Sequence, residues 1–188
     1  MTREAKILTL KPGAGKLWWE THLNSRWTDV EQRFQRAGSV YWHPASAMPL
    51  ELFAYLREAS LCFSLGRFLA TVSLMGALVE IILNRDPRLT GRTDLRRISR
   101  WITLNNNNLA VAESKGLPVA ELIDSGETVS APEPIRFVRS RNKIAHGDLA
   151  MYEVDLPEHN ASWEKEAYDQ LSKGQRFLIA WFNSDVSI

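Results

Sequence analysis

The residues with the clearest chemical potential lie at 141–147, where the sequence is Arg-Asn-Lys-Ile-Ala-His-Gly. Arginine stabilises anionic phosphate groups, and histidine is the side chain best suited to move protons near neutral pH. Arg141 and His146, with Asn142 as a polar neighbour, are therefore equipped for phosphodiester chemistry. The stretch lies within an otherwise apolar helical pattern, so the elements around it must position it.

A helix over 134–147 places polar residues at positions where a core is expected. Phe137 and Ile144 flank Arg141 at i−4 and i+3, and Asn142 falls on the stripe of apolar residues. Burying an unpaired polar group costs roughly 1–3 kcal/mol, and more when the group is charged. Arg141 and Asn142 should therefore have partners or a function. The remaining cations form the conventional exposed face of this helix: Arg136, Arg139 and Lys143.

Glu80 is out of place in the same way, because it lies in the most hydrophobic segment of the chain. Its helical neighbours are Gly76, Ala77 and Leu83, so its carboxylate is expected to be desolvated. A carboxylate can hold a guanidinium group through paired hydrogen bonds. We therefore predict a buried ion pair between Glu80 and Arg141 that satisfies both misplaced charges.

The spacing of Arg141 and His146 restricts how they can act together. A step of five residues separates them by roughly 140° around a regular helix, whereas Asn142 and His146 share one face. The two side chains can serve one phosphate only if the helix is irregular or ends there, or if two copies meet about a two-fold axis. A simpler interpretation is a helix end, with His146 favouring the helix dipole and Gly147 taking the left-handed cap.

Hydrophobic spacing predicts an all-α protein, since no segment alternates for long with the period of a strand. Helices are predicted at about 17–36, 50–65, 67–84, 94–104 and 163–182, with weaker signal at 109–115 and 119–124. A further helix begins near Pro132–Pro134 and carries the 141–147 stretch. Residues 105–108 are a helix breaker or cap, Ser162 is the expected cap of the last helix, and 125–132 and 150–161 are expected loops, the latter with a short extended piece as an alternative.

The predicted helices group into an up-and-down bundle with one addition. Residues 49–188 are expected to form the helical domain, and residues 1–48 an N-terminal extension with a Trp-rich helix. Four of the seven tryptophans fall in this extension: Trp18, Trp19, Trp27 and Trp42. We expect the two parts to form a single compact unit, because 188 residues suit one domain.

Charge and cysteine content limit the classes of partner. The net charge is +1, so no global basic field attracts nucleic acid, and RNA binding must come from local patches. One such patch is the stretch 85–100, which includes Arg96 and Arg97. The single cysteine, Cys62, lies in an apolar run and suits a reducing cytoplasm. We expect it to be a small buried side chain.

Neither a targeting segment nor a metal site is predicted. Residues 1–6 are not followed by a sustained apolar segment, and the apolar stretch 68–83 is short for a membrane span and carries Glu80. We therefore expect a cytoplasmic protein without membrane contact. The histidines are scattered without metal-ligand spacing, so no metal or other cofactor is expected: His22, His43, His146 and His159.

The chain resembles the HEPN superfamily, whose signature is an arginine, a polar residue, and a histidine that follows the arginine after four to six intervening residues. Arg141-Asn142-Lys-Ile-Ala-His146 fits the version with four intervening residues, and Gly147 commonly follows it. The stretch Glu58–Gly66 and the apolar helix ending in Ala-Leu-Val-Glu80 look like the helical hairpin of bacterial HEPN-like families, including those found near restriction and phage-defence genes. The resemblance covers roughly residues 49–150.

The resemblance implies a dimer with facing motifs and, in active members, RNA cleavage without a metal. His146 would act as acid and base on the ribose 2′-hydroxyl and the leaving oxygen, Arg141 would stabilise the phosphorane, and Asn142 would orient the site. Glu80 completes the candidate catalytic set through its pair with Arg141. The expected RNA-binding residues are Arg136, Arg139, Lys143, Arg96 and Arg97.

Three functions remain open from the sequence. The first is a HEPN-type endoribonuclease acting as a toxin or phage-defence effector, with an antitoxin or defence protein as partner. Toxin members that are modified carry a tyrosine two residues after the histidine, where this chain has Asp148, so such modification is not expected. The second is a non-catalytic HEPN module that binds a nucleotide or protein partner. The third is a purely structural helical adaptor, which the Trp-rich N-terminus favours.

Overall fold

The computed structural model describes residues 29–38, 48–91, 101–147 and 157–184, with side chains for all of these except 157–160. Every regular element in these ranges is helical, which confirms the all-α fold class. Most of the predicted 17–36 helix lies outside the described residues. The elements are α1, residues 29–38; α2, Leu50–Ser64; α3, Phe68–Arg85; α4, Pro87–Thr90; α5, Asn106–Ser114; a 3-10 turn, Val119–Leu122; α6, Arg136–Ala145; and α7, Pro157–Asn183.

Helix α3 is the centre of the described fold and packs against α2, α6 and α7. Its apolar side chains are buried nearly all round, with Val72, Met75, Val79 and Ile82 fully inaccessible. Helix α3 is long and apolar enough to cross a membrane, but a helix at the core of a folded domain can have the same length and composition. In this structure 61% of the helix is buried inside the protein.

Helices α2 and α3 form the predicted hairpin, joined by a tight turn at Gly66. The Gly66 N–H donates to the Phe63 carbonyl at 3.0 Å, and the Arg67 N–H donates to the Cys62 carbonyl at 2.7 Å. This pattern is a Schellman motif, which requires a left-handed residue after the helix, and Gly66 has φ of 74°. Cys62 is buried as predicted, and its burial raises the pKa of the thiol.

The predicted helix at 94–104 is wrong for residues 101–104, which are not helical, and residues 94–100 lie outside the described part of the chain. Side chains of α3 bind the backbone of this segment instead. The Asn84 amide donates to the Ile102 carbonyl at 2.9 Å and accepts from the Ile102 N–H at 2.7 Å. Asn105 then caps α5, its side-chain oxygen accepting from the Asn108 N–H, and the other three asparagines of the run form the first turn of α5.

Two helix starts differ from the prediction. Helix α6 begins at Arg136, and its first N–H groups, which have no acceptor within a helix, bind side chains: the Arg136 N–H donates to the Glu127 carboxylate at 3.1 Å, and the Ile135 N–H donates to Asn106 at 3.0 Å. Helix α7 already begins at Pro157, a residue suited to a first helical turn. Residues 157–161 are therefore helical, and Ser162 lies inside the helix rather than at its cap.

The described part of the N-terminal extension joins the same core. Ala37 of α1 is buried, and its carbonyl accepts a hydrogen bond from Gln175 of α7 at 3.5 Å. The Arg36 guanidinium lies 4.5 Å from the centre of the Tyr168 ring and pairs with Glu164 at 2.8 Å. Helix α1 therefore packs on α7 through apolar, cation–π and ionic contacts together.

Candidate functional site at the end of helix α6

Helix α6 carries the 141–147 stretch and ends within it. Phe137 and Val138 anchor the helix in the core. The helix stops at Ala145, with His146 as its C-cap and Gly147 in the left-handed region at φ of 66°. The His146 side chain is exposed, and its backbone N–H donates to the Asn142 carbonyl at 2.9 Å. The motif is thus a helix end, one of the two arrangements its spacing allowed.

The predicted ion pair between α3 and α6 is present. Arg141 Nη2 lies 2.5 Å from Glu80 Oε1, and Glu80 is only 5% exposed. The contact is made by one nitrogen, because the other terminal nitrogen, Nη1, donates to Asn142 Oδ1 at 3.0 Å. Arg141 is therefore held from two sides, and it in turn orients the amide of Asn142.

Glu80 has partners that the sequence did not indicate. Its Oε1 also accepts from the Leu104 N–H at 2.9 Å, and its Oε2 accepts from the Trp101 indole at 3.4 Å. The carboxylate thus joins α6 to the non-helical segment 101–104. The sequence contained one signal for this role: Asn84, which binds the same segment, follows Glu80 by one helical turn. Glu80 acts through Arg141 and is a positioning residue.

Gly76 is a site residue that the sequence analysis missed. The stem of Arg141 crosses α3 at this position, and a Cβ added to Gly76 would lie 2.5 Å from Arg141 Cγ. Only glycine leaves room for the arginine to reach Glu80, one turn further along α3. The available signal was a glycine in the interior of an apolar helix, where it normally costs helix stability.

Asn142 and His146 line an open cavity of about 240 Å³ at the end of α6 together with Pro134, Arg139 and Lys143. We call it the motif cavity. Two of the predicted catalytic residues and two of the predicted RNA-binding residues therefore meet. Arg141 is not among the residues that line this cavity. Within one chain, the guanidinium group lies toward α3 while the imidazole lies at the cavity.

Arg136 is committed to the interface between α6 and α7. Its Nε donates to Glu166 at 2.7 Å, and its Nη2 pairs with Asp169 at 3.1 Å. Burial alone would lower the pKa of this guanidinium, but the hydrogen bond to Glu166 and the charges of Glu166, Asp169 and Asp124 together outweigh burial and raise the pKa. Arg136 thus differs from the expected exposed face, because its side chain is half-buried and its charge is paired with two carboxylates.

Arg139 and Lys143 are the cations of α6 that remain available. Neither forms an ion pair with any residue that the structure describes, in contrast to Arg136 and Arg141. Standing one helical turn apart, they lie on the same face of α6 and both contribute to the motif cavity. The other two predicted RNA-binding residues, Arg96 and Arg97, lie outside the described residues.

Similarity to known proteins adds no assignment to this site. Comparison with family models, with curated proteins and with solved structures finds no match. Among the described residues, no three His, Cys, Asp or Glu side chains form a group that could hold a metal ion. Any functional assignment therefore rests on the geometry of α6 and its neighbours.

Proposed function

We propose that this protein is a HEPN-type endoribonuclease that cleaves RNA without a metal ion. The observation that carries the proposal is the arrangement at the end of α6. An exposed His146 shares a cavity with Asn142 and two cations, Arg139 and Lys143, while Arg141 is held firmly by Glu80. A proton-transfer group, an oriented phosphate-binding group and positive charge are the parts that RNA cleavage needs.

The reaction uses a nucleophile that RNA itself supplies. His146 removes the proton of the ribose 2′-hydroxyl, the 2′-oxygen attacks phosphorus, and the bond from phosphorus to the 5′-oxygen breaks. The protonated His146 then gives its proton to the leaving 5′-oxygen, so the products are a 2′,3′-cyclic phosphate and a 5′-hydroxyl end. Arg141 stabilises the charge that develops on the non-bridging oxygens. Proton transfer and charge stabilisation suffice for this route.

The proposed active unit is a homodimer. Arg141 does not line the cavity that holds His146 of its own chain, so one copy supplies only part of the site. A two-fold axis that brings the ends of two α6 helices together pairs Arg141 of one copy with His146 of the other. Asn142, which accepts a hydrogen bond from Arg141 and lines the cavity, is placed to connect the two halves.

The direct test is cleavage of single-stranded RNA by the full-length protein in EDTA. We expect His146→Ala to lower the rate by about 10²–10⁴-fold, the usual contribution of general acid–base catalysis. The substitution should leave the fold intact because His146 is an exposed helix-end residue. Lys165→Ala, which changes an exposed cation of α7 outside the motif cavity, should cleave at the unsubstituted rate.

Two results would contradict the proposal. Cleavage that survives both His146→Ala and Arg141→Ala would place the chemistry elsewhere. Cleavage abolished by EDTA would show that the reaction needs a metal. The proposed role as a toxin or phage-defence effector in the cytoplasm has its own measure, namely growth arrest on expression that is lost with His146→Ala.

The second candidate function is a non-catalytic module that binds a nucleotide or a protein partner. One observation favours it: no residue that the structure describes forms a hydrogen bond with the imidazole of His146, so none of the described residues orients it for proton transfer. A wild-type protein that binds RNA through Arg139 and Lys143 but cleaves none would support this function over the first.

A further inference from the structure

A second cavity lies beside the motif cavity, between α6 and the first half of α7. Its volume is about 160 Å³, and its walls include Arg139, Lys143, Ser162, Trp163 and Glu166. We call it the α7 cavity. Arg139 and Lys143 line both cavities, so the two are neighbours that share one cationic wall. A ligand can therefore extend from the motif cavity into the α7 cavity and remain in contact with the positively charged Arg139 and Lys143.

The charge inside the α7 cavity is positive despite its acidic residue. Glu166 Oε1 accepts from Ser140 at 2.6 Å and from Gln170 at 3.0 Å, while Oε2 is bound by Arg136. The carboxylate is thus occupied on both oxygens and neutralised by a guanidinium. Arg139 and Lys143 retain their charge for a ligand, because neither has an ionic partner among the described residues.

Trp163 contributes an aromatic side chain to this positive wall and also packs against the hydrophobic core. Its side chain is half-buried and forms part of the wall of the cavity, and the Ser162 hydroxyl stands next to it as a donor or acceptor. Sites that bind single-stranded nucleic acid combine cations for the backbone with aromatic rings on which bases stack. An anion alone would need no indole, and an apolar ligand would need no pair of cations.

We propose that the α7 cavity is a nucleobase subsite, which receives the base of the nucleotide next to the scissile phosphate. Trp163 stacks on the base, Ser162 bonds its edge or ribose, and Arg139 and Lys143 bind the phosphate that joins this nucleotide to the one in the motif cavity. The ligand class is single-stranded RNA. The inference rests on the proposed function for the position of the scissile phosphate, but base binding itself does not depend on cleavage.

The test measures the affinity of a short single-stranded RNA for the His146→Ala protein, which keeps the RNA intact. Adding Trp163→Leu should weaken RNA binding by roughly 5- to 150-fold, the range that one lost base stack produces. Trp163→Phe, which keeps a ring, should recover most of the affinity. The matched control is Phe53→Leu, an exposed aromatic residue of α2 that lines neither cavity, and it should bind as the parent does.

Inorganic polyphosphate has charged phosphates but no bases. Its binding therefore distinguishes a loss of base stacking from a loss of phosphate binding or of the fold. Its binding should be unchanged by Trp163→Leu and weakened when Arg139 and Lys143 are both replaced by glutamine. If Trp163→Leu weakens polyphosphate and RNA equally, or leaves RNA binding unchanged, the base subsite is overturned. The same holds if the His146→Ala protein binds no RNA.

The two proposals fail in different ways. RNA binding that depends on Trp163 in a protein whose wild type cleaves no RNA keeps the base subsite and removes the nuclease. Cleavage that depends on His146 but is indifferent to Trp163 keeps the nuclease and removes the base subsite.

Discussion

Glu80 accepts hydrogen bonds from three donors in two parts of the chain: the Arg141 guanidinium of α6, and the Leu104 N–H and Trp101 indole of the segment 101–104. Such a carboxylate is well satisfied, yet its removal leaves the buried Leu104 N–H without an acceptor and the half-buried Arg141 guanidinium without its counter-charge. Burial makes that loss expensive, because water cannot replace the missing partner. The residue that positions Arg141 is therefore also one on which the stability of the fold depends.

We expect Glu80→Ala to lower the free energy of unfolding by about 3–5 kcal/mol, the usual result of removing one partner of a buried ion pair. Glu80→Gln should cost less, since an amide oxygen still accepts from Leu104 and Arg141. Urea denaturation measures both. The control is Arg176→Ala, which breaks the exposed pair with Glu121 and should change stability by no more than about 1 kcal/mol. Equal effects of Glu80→Ala and Arg176→Ala would show that the buried pair contributes nothing.

At the scale of elements, the contact between α3 and α6 depends on a small residue at the crossing. Gly76 lets the Arg141 stem lie directly on the α3 backbone, and Glu80 one turn later receives the guanidinium group. A similar close approach occurs between α3 and α7, where a Cβ on Gly174 would meet the end of the Met75 side chain. The end of the Met75 side chain can move aside. Arg141 Cγ cannot, because it lies close to the α6 backbone and the guanidinium at the end of the same side chain is held by Glu80.

Gly76→Ala should therefore destabilise the protein by about 1–3 kcal/mol, the usual cost of overpacking a core, although alanine in a helix interior normally stabilises relative to glycine. Gly38→Ala is the matched control, because a Cβ there meets nothing within 4 Å and should leave stability unchanged or slightly higher. Thermal unfolding of both variants checks this expectation. Combining Gly76→Ala with Arg141→Ala should recover part of the loss, and purely additive effects would contradict a direct clash.

At the scale of the whole molecule, the described chain forms one helical unit around α3, and its candidate site is divided. Arg141 lies on the α3 side of α6, and His146 lies at the motif cavity. Helix geometry maintains this division, because the two side chains leave α6 in different directions. The proposed two-fold dimer resolves the division by combining complementary halves from two copies.

Mixing two inactive variants tests this composite site. Arg141→Gln and His146→Ala each lack one half, so a mixed dimer contains one complete site and one doubly substituted site. Random exchange of subunits should restore about a quarter of wild-type cleavage, since half of the dimers are mixed and each has one of two sites. Glutamine at 141 keeps a hydrogen-bond donor for Glu80. Absence of any recovery, in a mixture shown by labelled subunits to exchange, would exclude a site shared between chains.

The sequence alone was sufficient for features that depend on local patterns and on the cost of burying charge. Apolar spacing predicted helices close to the observed α2 and α3, because a helix must place one face on the core. The misplacement of Glu80 and Arg141 predicted their pairing, because a desolvated charge requires a partner. The same kind of reasoning failed at 101–104, where side chains of α3 bind the backbone in place of helical hydrogen bonds.

Only the tertiary structure decided how distant elements combine. Nothing in the sequence relates Trp163 to Lys143, and their meeting in one cavity follows from how α7 packs along α6. The side of α6 on which Arg141 lies is set by Gly76 and Glu80 of α3, not by the motif itself. Local sequence specifies which groups must be paired or buried, whereas the relative placement of helices depends on how complete side-chain surfaces fit together, and that fit has no signature in spacing.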